Sequence, residues 1–229
     1  MCGRFTLTAD PNAIQQAFDL DPITGAFYPR YNIAPSQPVA IITNHEPKQL
    51  TYVQWGLIPS WAKDPKIGNK LINARSETAA EKPSFRSAFK RRRCLIPADG
   101  FFEWSKQGKK KVPMYIHLDD NSVFAFAGLW ETWHSADGGE LQTCTILTTE
   151  PNELIKPLHH RMAVILEPDT YDTWLSPDEL PADALMPLLT AYPADKMHVY
   201  QVSTQVNSPA NDDPSVIEPF DSPRQQTMF

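Results

Sequence analysis

The chain has 229 residues, of which 41% are hydrophobic and 21% charged, and it carries a net charge of −6. That length supports one sizeable domain with its own core, and because no apolar run approaches the roughly 20 residues of a membrane span, a spanning helix is excluded and a soluble protein is expected. The opening residues have neither the charged start nor the apolar stretch of a secretory signal, which makes the cytoplasm the expected compartment.

The chain begins MCGRFTL. A small second residue generally allows Met1 to be trimmed, and Cys2 would then carry a free α-amine beside its thiol, a pair no internal cysteine offers. The bland alternative is an incidental cysteine. With 22 Pro and only 9 Gly, turns are mostly proline-set and elements short. A helix is expected over 11–20, with Asp10 as N-cap, Pro11 in the first helical position and Ala13, Ile14, Ala17 and Phe18 along one face. Strand-like runs follow at 39–43, 50–57, 94–97, 101–105, 112–118, 122–131, 141–148, 162–166 and 197–203. Short helices are expected near 76–81, 84–90, 150–156, 168–175 and 181–191. Strands joined by short loops, rather than alternating with helices, indicate a single α+β domain with a mainly antiparallel, barrel-like β core and flanking short helices. The stretch 208–229, rich in Pro, Asp and Ser, reads as a loosely held tail.

Cys94 and Cys144 sit beside strand-like runs and read as buried reduced thiols; only Cys2 lies outside such a run. Charge is unevenly spread. Lys82 to Lys111 holds ten Lys or Arg against Asp99 and Glu103, a balance of +8 that leaves −14 on the rest of the chain. This is the footprint of a phosphate-backbone site, or else KRRR and KQGKKK are solvated loops. After the Asp99-Gly100 turn, Glu103 lies among Phe101, Phe102 and Trp104. A carboxylate so placed is at an exposed strand edge or in a partly apolar pocket, where desolvation raises its pKa and suits it to proton transfer. His159 and His160 precede an arginine and a strand, a pattern that surface or structural histidines also give. Adjacent residues point apart in most backbones, and Cys94 and Cys144 lack partners at ligand spacing, so no metal and no cofactor are expected.

Six motifs follow one another: MCGRF at the start, YNIAP (31–35), WGLIPSW (55–61), INARSET (72–78), IPADGFFEW (96–104) and HHRM (159–162), with VSTQVN (202–207) closing the series. In this order and at these separations they resemble the SOS-response-associated peptidase (SRAP) family of abasic-site processing proteins, over residues 1–207. The resemblance implies a compact antiparallel β core and a protein that shields abasic sites in single-stranded DNA by becoming covalently attached to them. It puts the nucleophile on Cys2, an asparagine on Asn73, a glutamate on Glu103 and a histidine on His159, with His160 a neighbour. Arginines contacting the DNA backbone fall on Arg4, Arg75 and Arg161, and the aromatic that wedges against bases falls on Trp61, with Trp55, the first tryptophan of that motif, as the alternative. The implied partner is single-stranded DNA containing abasic sites, met by a monomer that is cytoplasmic and nucleoid-associated when on DNA.

Two other functions use the same residues. A thiol (auto)peptidase would take Cys2 as nucleophile and His159 as its base. A non-catalytic reader of single-stranded or modified DNA would rely on the basic segment and on stacking by Trp61.

Overall fold

The computed structural model describes residues 2–220. Its strands, in chain order, are β1 (Phe5–Leu7), β2 (Arg30–Ile33), β3 (Pro38–Thr43), β4 (Thr51–Trp55), β5 (Asn73–Arg75), β6 (Arg93–Ala98), β7 (Gly100–Gln107), β8 (Lys110–Leu118), β9 (Phe124–His134), β10 (Glu140–Thr149), β11 (Met162–Ala163), β12 (Ile165–Leu166) and β13 (Met197–Gln201). They form two sheets. One is antiparallel throughout, in the order β13-β8-β7-β1-β2. In the other, β4-β3-β6-β9 are antiparallel neighbours, β10 pairs antiparallel with β9 and parallel with β4, and the five strands thereby close into a ring. β5 and β11 extend this sheet on β10, and β12 extends it on β9. The expected mainly antiparallel, barrel-like α+β domain is what the chain forms.

Apolar side chains from both sheets make one principal core. Phe5 of β1 meets Trp55 and Phe126 edge-on at centroid distances of 5.2 and 5.8 Å, and Phe101 of β7 meets Phe126 at 5.8 Å. Each such pair contributes about 0.5–1.5 kcal/mol beyond the area it buries. These contacts fasten the five-stranded antiparallel sheet to the ring, and with it the strand that follows Cys2.

Helices are short: α1 (Pro11–Ala17), α2 (Ser76–Ala79), α3 (Arg86–Arg91), α4 (Tyr171–Trp174) and α5 (Ala182–Leu185). Asp10 caps α1 as expected, its carboxylate accepting from Asn12 N at 2.8 Å. The helix stops at Ala17, short of residue 20, because Asp19 turns into the left-handed region at φ 48 and Leu20 N closes back on Gln15 O at 3.0 Å. The helix expected at 150–156 is instead a run of turns. Asn152 organises it, accepting from Ile155 N at 2.9 Å and donating to Tyr192 O at 2.7 Å, and Pro157, which has no N–H, stops any continuation.

The tail is a second correction. Residues 208–220 are packed against β2 and β8 rather than loose: Asp212 accepts from Tyr31 N at 2.5 Å, Asn32 N at 2.9 Å and Arg30 Nε at 2.5 Å, and Val216 is fully buried. Wholly buried Asn32 completes the clasp, donating to the carbonyls of Val206, Ser208 and Asn211. The sequence hides this because the polar residues that suggest solvent are the clasp itself. Residues 221–229 of the expected tail lie outside the described part. Asp212→Ala leaves two backbone N–H groups without an acceptor, so it is expected to lower unfolding stability by about 1–3 kcal/mol, read by urea denaturation; an unchanged midpoint would mean that the segment is loose in solution.

Candidate functional site

β1 pairs antiparallel with β7, Phe5 opposite Phe101, and Phe102 N donates to Arg4 O at 2.9 Å. Continued by two residues, that register carries Cys2 alongside Glu103 and Trp104. On another side, the parallel ladder of β5 with β10 sets Asn73 opposite Ile146, and Asn73 Nδ2 donates to the Cys2 carbonyl at 2.8 Å. Asn73 Oδ1 is buried and accepts nothing among the described residues. Three distant stretches of sequence thus converge on residue 2.

Cys2 is completely buried, in the same core as Cys94 and Cys144, so its position outside an apolar run did not foretell exposure. Its Sγ lies 3.9 Å from Arg4 O. Burial first, and the nearby Glu103 carboxylate second, push the thiol up to about 12. Glu103 is itself buried, and desolvation raises its carboxyl above the ordinary value. Of the two environments that the sequence allowed for this residue, the partly apolar pocket is the one it occupies.

The turns over 152–159 present His159 to the same place. Its Nδ1 lies 3.0 Å from Arg161 N and 3.1 Å from Arg161 O, so the backbone of that residue fixes the orientation of the ring. Partial burial, reinforced by nearby positive charge, holds its pKa below the usual histidine value. His160 stacks on it at a centroid distance of 4.2 Å. A cleft of about 720 Å³ opens over Glu103, His159 and His160, and Lys106, Lys111 and Lys156 also line it. Lys156 and the pairing of Trp104 Nε1 with Asn207 Oδ1 at 2.8 Å were missed from sequence; nothing local marks either, since only folding brings them to this cleft.

The three arginines assigned by resemblance differ sharply. Arg75 is exposed. Arg4 is turned inward, donating to Asn32 Oδ1 at 2.6 Å and Val206 O at 2.7 Å with its guanidinium 5.8 Å from the Trp104 ring centre. Arg161 forms a two-pronged ion pair with Glu77 at 2.7 and 2.8 Å. Desolvation pulls the Glu77 carboxyl up, but the hydrogen bond and charge of Arg161 outweigh it and hold the group below its ordinary value. Trp61 is 58% exposed whereas Trp55 is fully buried, its Nε1 donating to Ile72 O at 2.8 Å, so only Trp61 can stack on a ligand. Its loop leaves the ring through Gly56, at φ +127 and so close to Gly68 that a Cβ would meet that carbonyl oxygen at 2.7 Å.

The run KRRR is not a loop: it closes α3 and opens β6, with Lys90 and Arg91 exposed and the arginines after them turned inward. Arg93 is wholly buried and donates to five backbone carbonyls, those of Phe89, Lys90, Trp174, Ser176 and Asp178. Arg92 pairs with Glu131 at 2.7 Å and Arg91 with Glu179 at 2.5 Å.

The model of the SOS response associated peptidase (SRAP) family matches residues 1–209. The chain belongs to the SRAP family. It is 50% identical over 222 residues to the abasic site processing protein YoqW of Bacillus subtilis, covering 95% of this chain and 99% of that protein. It is also 34% identical to the abasic site processing protein HMCES of Gallus gallus, over 86% of this chain and 68% of that protein. A crystal structure of a Bacteroides thetaiotaomicron protein superposes with a TM-score of 0.83 at 29% identity, covering 96% of this chain and all of that one. In this SRAP chain all three cysteines are buried with thiols raised above their ordinary value. Native protein is therefore expected to resist iodoacetamide at pH 8 and to react at three thiols once unfolded, read by intact mass; rapid single alkylation of the native form would contradict the burial of Cys2.

Proposed function

We propose that this chain processes abasic sites in single-stranded DNA, trapping them covalently on Cys2 once Met1 is removed. The names of its relatives support the lesion, and one observation carries the chemistry: Asn73 grips the Cys2 carbonyl at 2.8 Å beside the Glu103 carboxyl. That grip fixes the backbone of residue 2 independently of its own nitrogen. The nitrogen, freed by trimming, is the group the reaction needs.

An abasic deoxyribose becomes an aldehyde at C1' only on ring opening. A free α-amine has a pKa of roughly 7.7–8.0, so near pH 7 about a tenth is neutral and nucleophilic, where lysine is almost wholly charged. The amine adds to C1' and water leaves, giving an imine. The thiol then adds across that C=N bond, its proton passing to nitrogen, and a five-membered thiazolidine closes with net loss of one water. An unclosed imine would acidify C2' and promote strand cleavage. Because the thiol and amine share one residue, closure is intramolecular, with an effective molarity that can reach the order of 10^5 M.

Glu103 is assigned to the amine and thiol protons, and a thiol held up at about 12 needs such a base. His159 is assigned to ring opening and to dehydration of the carbinolamine. Arg75 and Trp61, both exposed, serve the phosphate backbone and a base; Arg4 and Arg161 act in DNA binding through the groups they hold. A thiol peptidase reading has less behind it, because such enzymes lower the cysteine pKa and here burial raises it.

Cys2→Ala is expected to abolish a heat-stable shift of abasic oligonucleotide on denaturing gels, and Cys2→Ser to give no durable ring. An uncleavable N-terminal extension, which keeps the thiol but removes the amine, should do the same; robust cross-linking by that protein would sink the mechanism and leave the thiol as sole nucleophile.

The pH dependence follows from the two shifted groups. As pH falls, the Glu103 carboxylate is lost above the ordinary 4.5, so the acid limb of the cross-linking rate should begin there and vanish in Glu103→Gln. His159 stays neutral below its ordinary 6.5, so its own limb lies on the acid side of that value. Glu103→Gln and His159→Ala should each slow single-turnover cross-linking by at least about tenfold while non-covalent binding stays within a few-fold. Wild-type rates and profiles in both variants would show the aminothiol reacting unaided.

A further inference from the structure

The cleft beside Glu103 and His159 carries more positive charge than the proposed chemistry uses. Lys106 of β7, Lys111 of β8 and Lys156 of the 152–159 turns reach it from three parts of the chain, and among the described residues Glu103 is the one carboxylate lining it. Lys106 and Lys111 are directly opposite each other in the β7–β8 ladder. Like charges at directly opposed positions destabilise a sheet. Neither has a carboxylate within ion-pair distance among the described residues, and Lys156 has only Glu153 at 3.8 Å, both side chains well exposed. The hairpin is built to keep this arrangement: Gly108, at φ +61, occupies the first central position of a two-residue turn, which fixes the register that opposes the two lysines. Arg91, Arg92 and Arg161, by contrast, are each paired with a glutamate. Here the protein gathers three ammonium groups, with little compensation, around one concavity.

We infer that Lys106, Lys111 and Lys156 form a phosphate subsite that takes the phosphodiester next to the lesion, steering the abasic sugar toward Cys2 and Glu103. A phosphodiester is the anion that fits: an abasic nucleotide has no base to grip, so its neighbouring phosphates are the nearest charged handles on the strand. Bound between Lys106 and Lys111, such a phosphate would relieve their mutual repulsion, and Lys156 would close on it from the opposite wall. The inference rests on the proposed abasic-site function for the identity of the strand, and on the cleft alone for the anion.

The test uses a single-stranded oligonucleotide with an unreactive tetrahydrofuran abasic analogue, its linkages replaced one at a time by neutral methylphosphonate. Binding to the full chain is followed by fluorescence anisotropy. Wild type should lose affinity most at one linkage adjoining the lesion, and Lys106→Gln/Lys111→Gln/Lys156→Gln should bind the all-phosphate strand about tenfold more weakly, with a log–log salt slope flatter by about 0.7 for each phosphate that is no longer neutralised. The decisive result is non-additivity: the triple variant should no longer sense the neutral linkage that wild type senses. Lysine-to-arginine substitutions at the three positions should retain that sensitivity. Equal affinity and slope in wild type and triple variant, or equal sensitivity to every linkage, would overturn the subsite. Binding of free inorganic phosphate as tightly as the strand would also overturn it, by making the site a general anion trap. Failure of wild type to cross-link a reactive abasic strand, with linkage-specific binding intact, would refute the proposed chemistry and leave the subsite standing.

Discussion

Closure of the ring through β10 is the constraint on which the rest depends. This strand pairs with β9 along most of its length, then with β4 and β5 in parallel and with β11 at its end. Parallel pairing cannot be made by a hairpin, so it requires chain to travel elsewhere and return. The return from β4 to β5 is the segment that carries Trp61 outward and brings Asn73 back to the ring. Because β10 holds β5 by main-chain bonds, Asn73 has a fixed address, and the carbonyl of residue 2 is held by a rigid element rather than by a loop. The same strand end anchors Arg161, whose Nη2 donates to Thr148 O at 2.5 Å.

The electrostatics of the site follow from burial more than from pairing. Cys2 and Glu103 occupy a dry junction between the two sheets, and desolvation is the leading cause of the upward shift in each. Burial thus disfavours the charged form of each, thiolate and carboxylate alike. His159 sits at the wetter edge, partly exposed to the cleft, where neighbouring positive charge adds to burial in keeping it neutral. The order from dry to wet, thiol to carboxyl to imidazole to lysines, is the order in which a strand entering from solvent would meet them in reverse.

Much of this was legible in the sequence, for definite reasons. The long strands β8, β9 and β10 are β-branched and aromatic runs bounded by turn residues, and their cross-strand packing obeys that pattern. β1, β2 and β5 are three or four residues long and rich in Arg, Asn and Thr, so no periodicity marks them; tertiary pairing alone makes them strands. These are the strands that carry or adjoin the site. The motifs named Cys2, Asn73, Glu103 and His159, and the fold gathers their segments around residue 2 and the adjoining cleft, yet sequence could not say that Arg161 is spent on Glu77 or that Arg93 is a buried tie between α3 and the segment after α4. Charge in a sequence does not report its partner. KRRR looks like surface because lysine and arginine usually are surface, and the carbonyls that receive Arg93 lie up to 85 positions away.

The clasp joins segments of the chain that lie far apart in sequence. Arg4, two residues beyond the proposed nucleophile, is tied to the carbonyl of Val206, 202 positions later, and Asn32 is tied to the carbonyl of Asn211, 179 positions later. The segment around Arg4 and Asn32 therefore finds its supports far along the sequence. A nascent or truncated chain that ends before Val206 exposes its N-terminal segment without the anchor that orients it, and it lacks Asn207 as the fixed partner of Trp104. Order around residue 2 is in this way made conditional on residues 206–211: without them Arg4 loses its carbonyl anchor, and the segment proposed to carry the nucleophile is left unoriented.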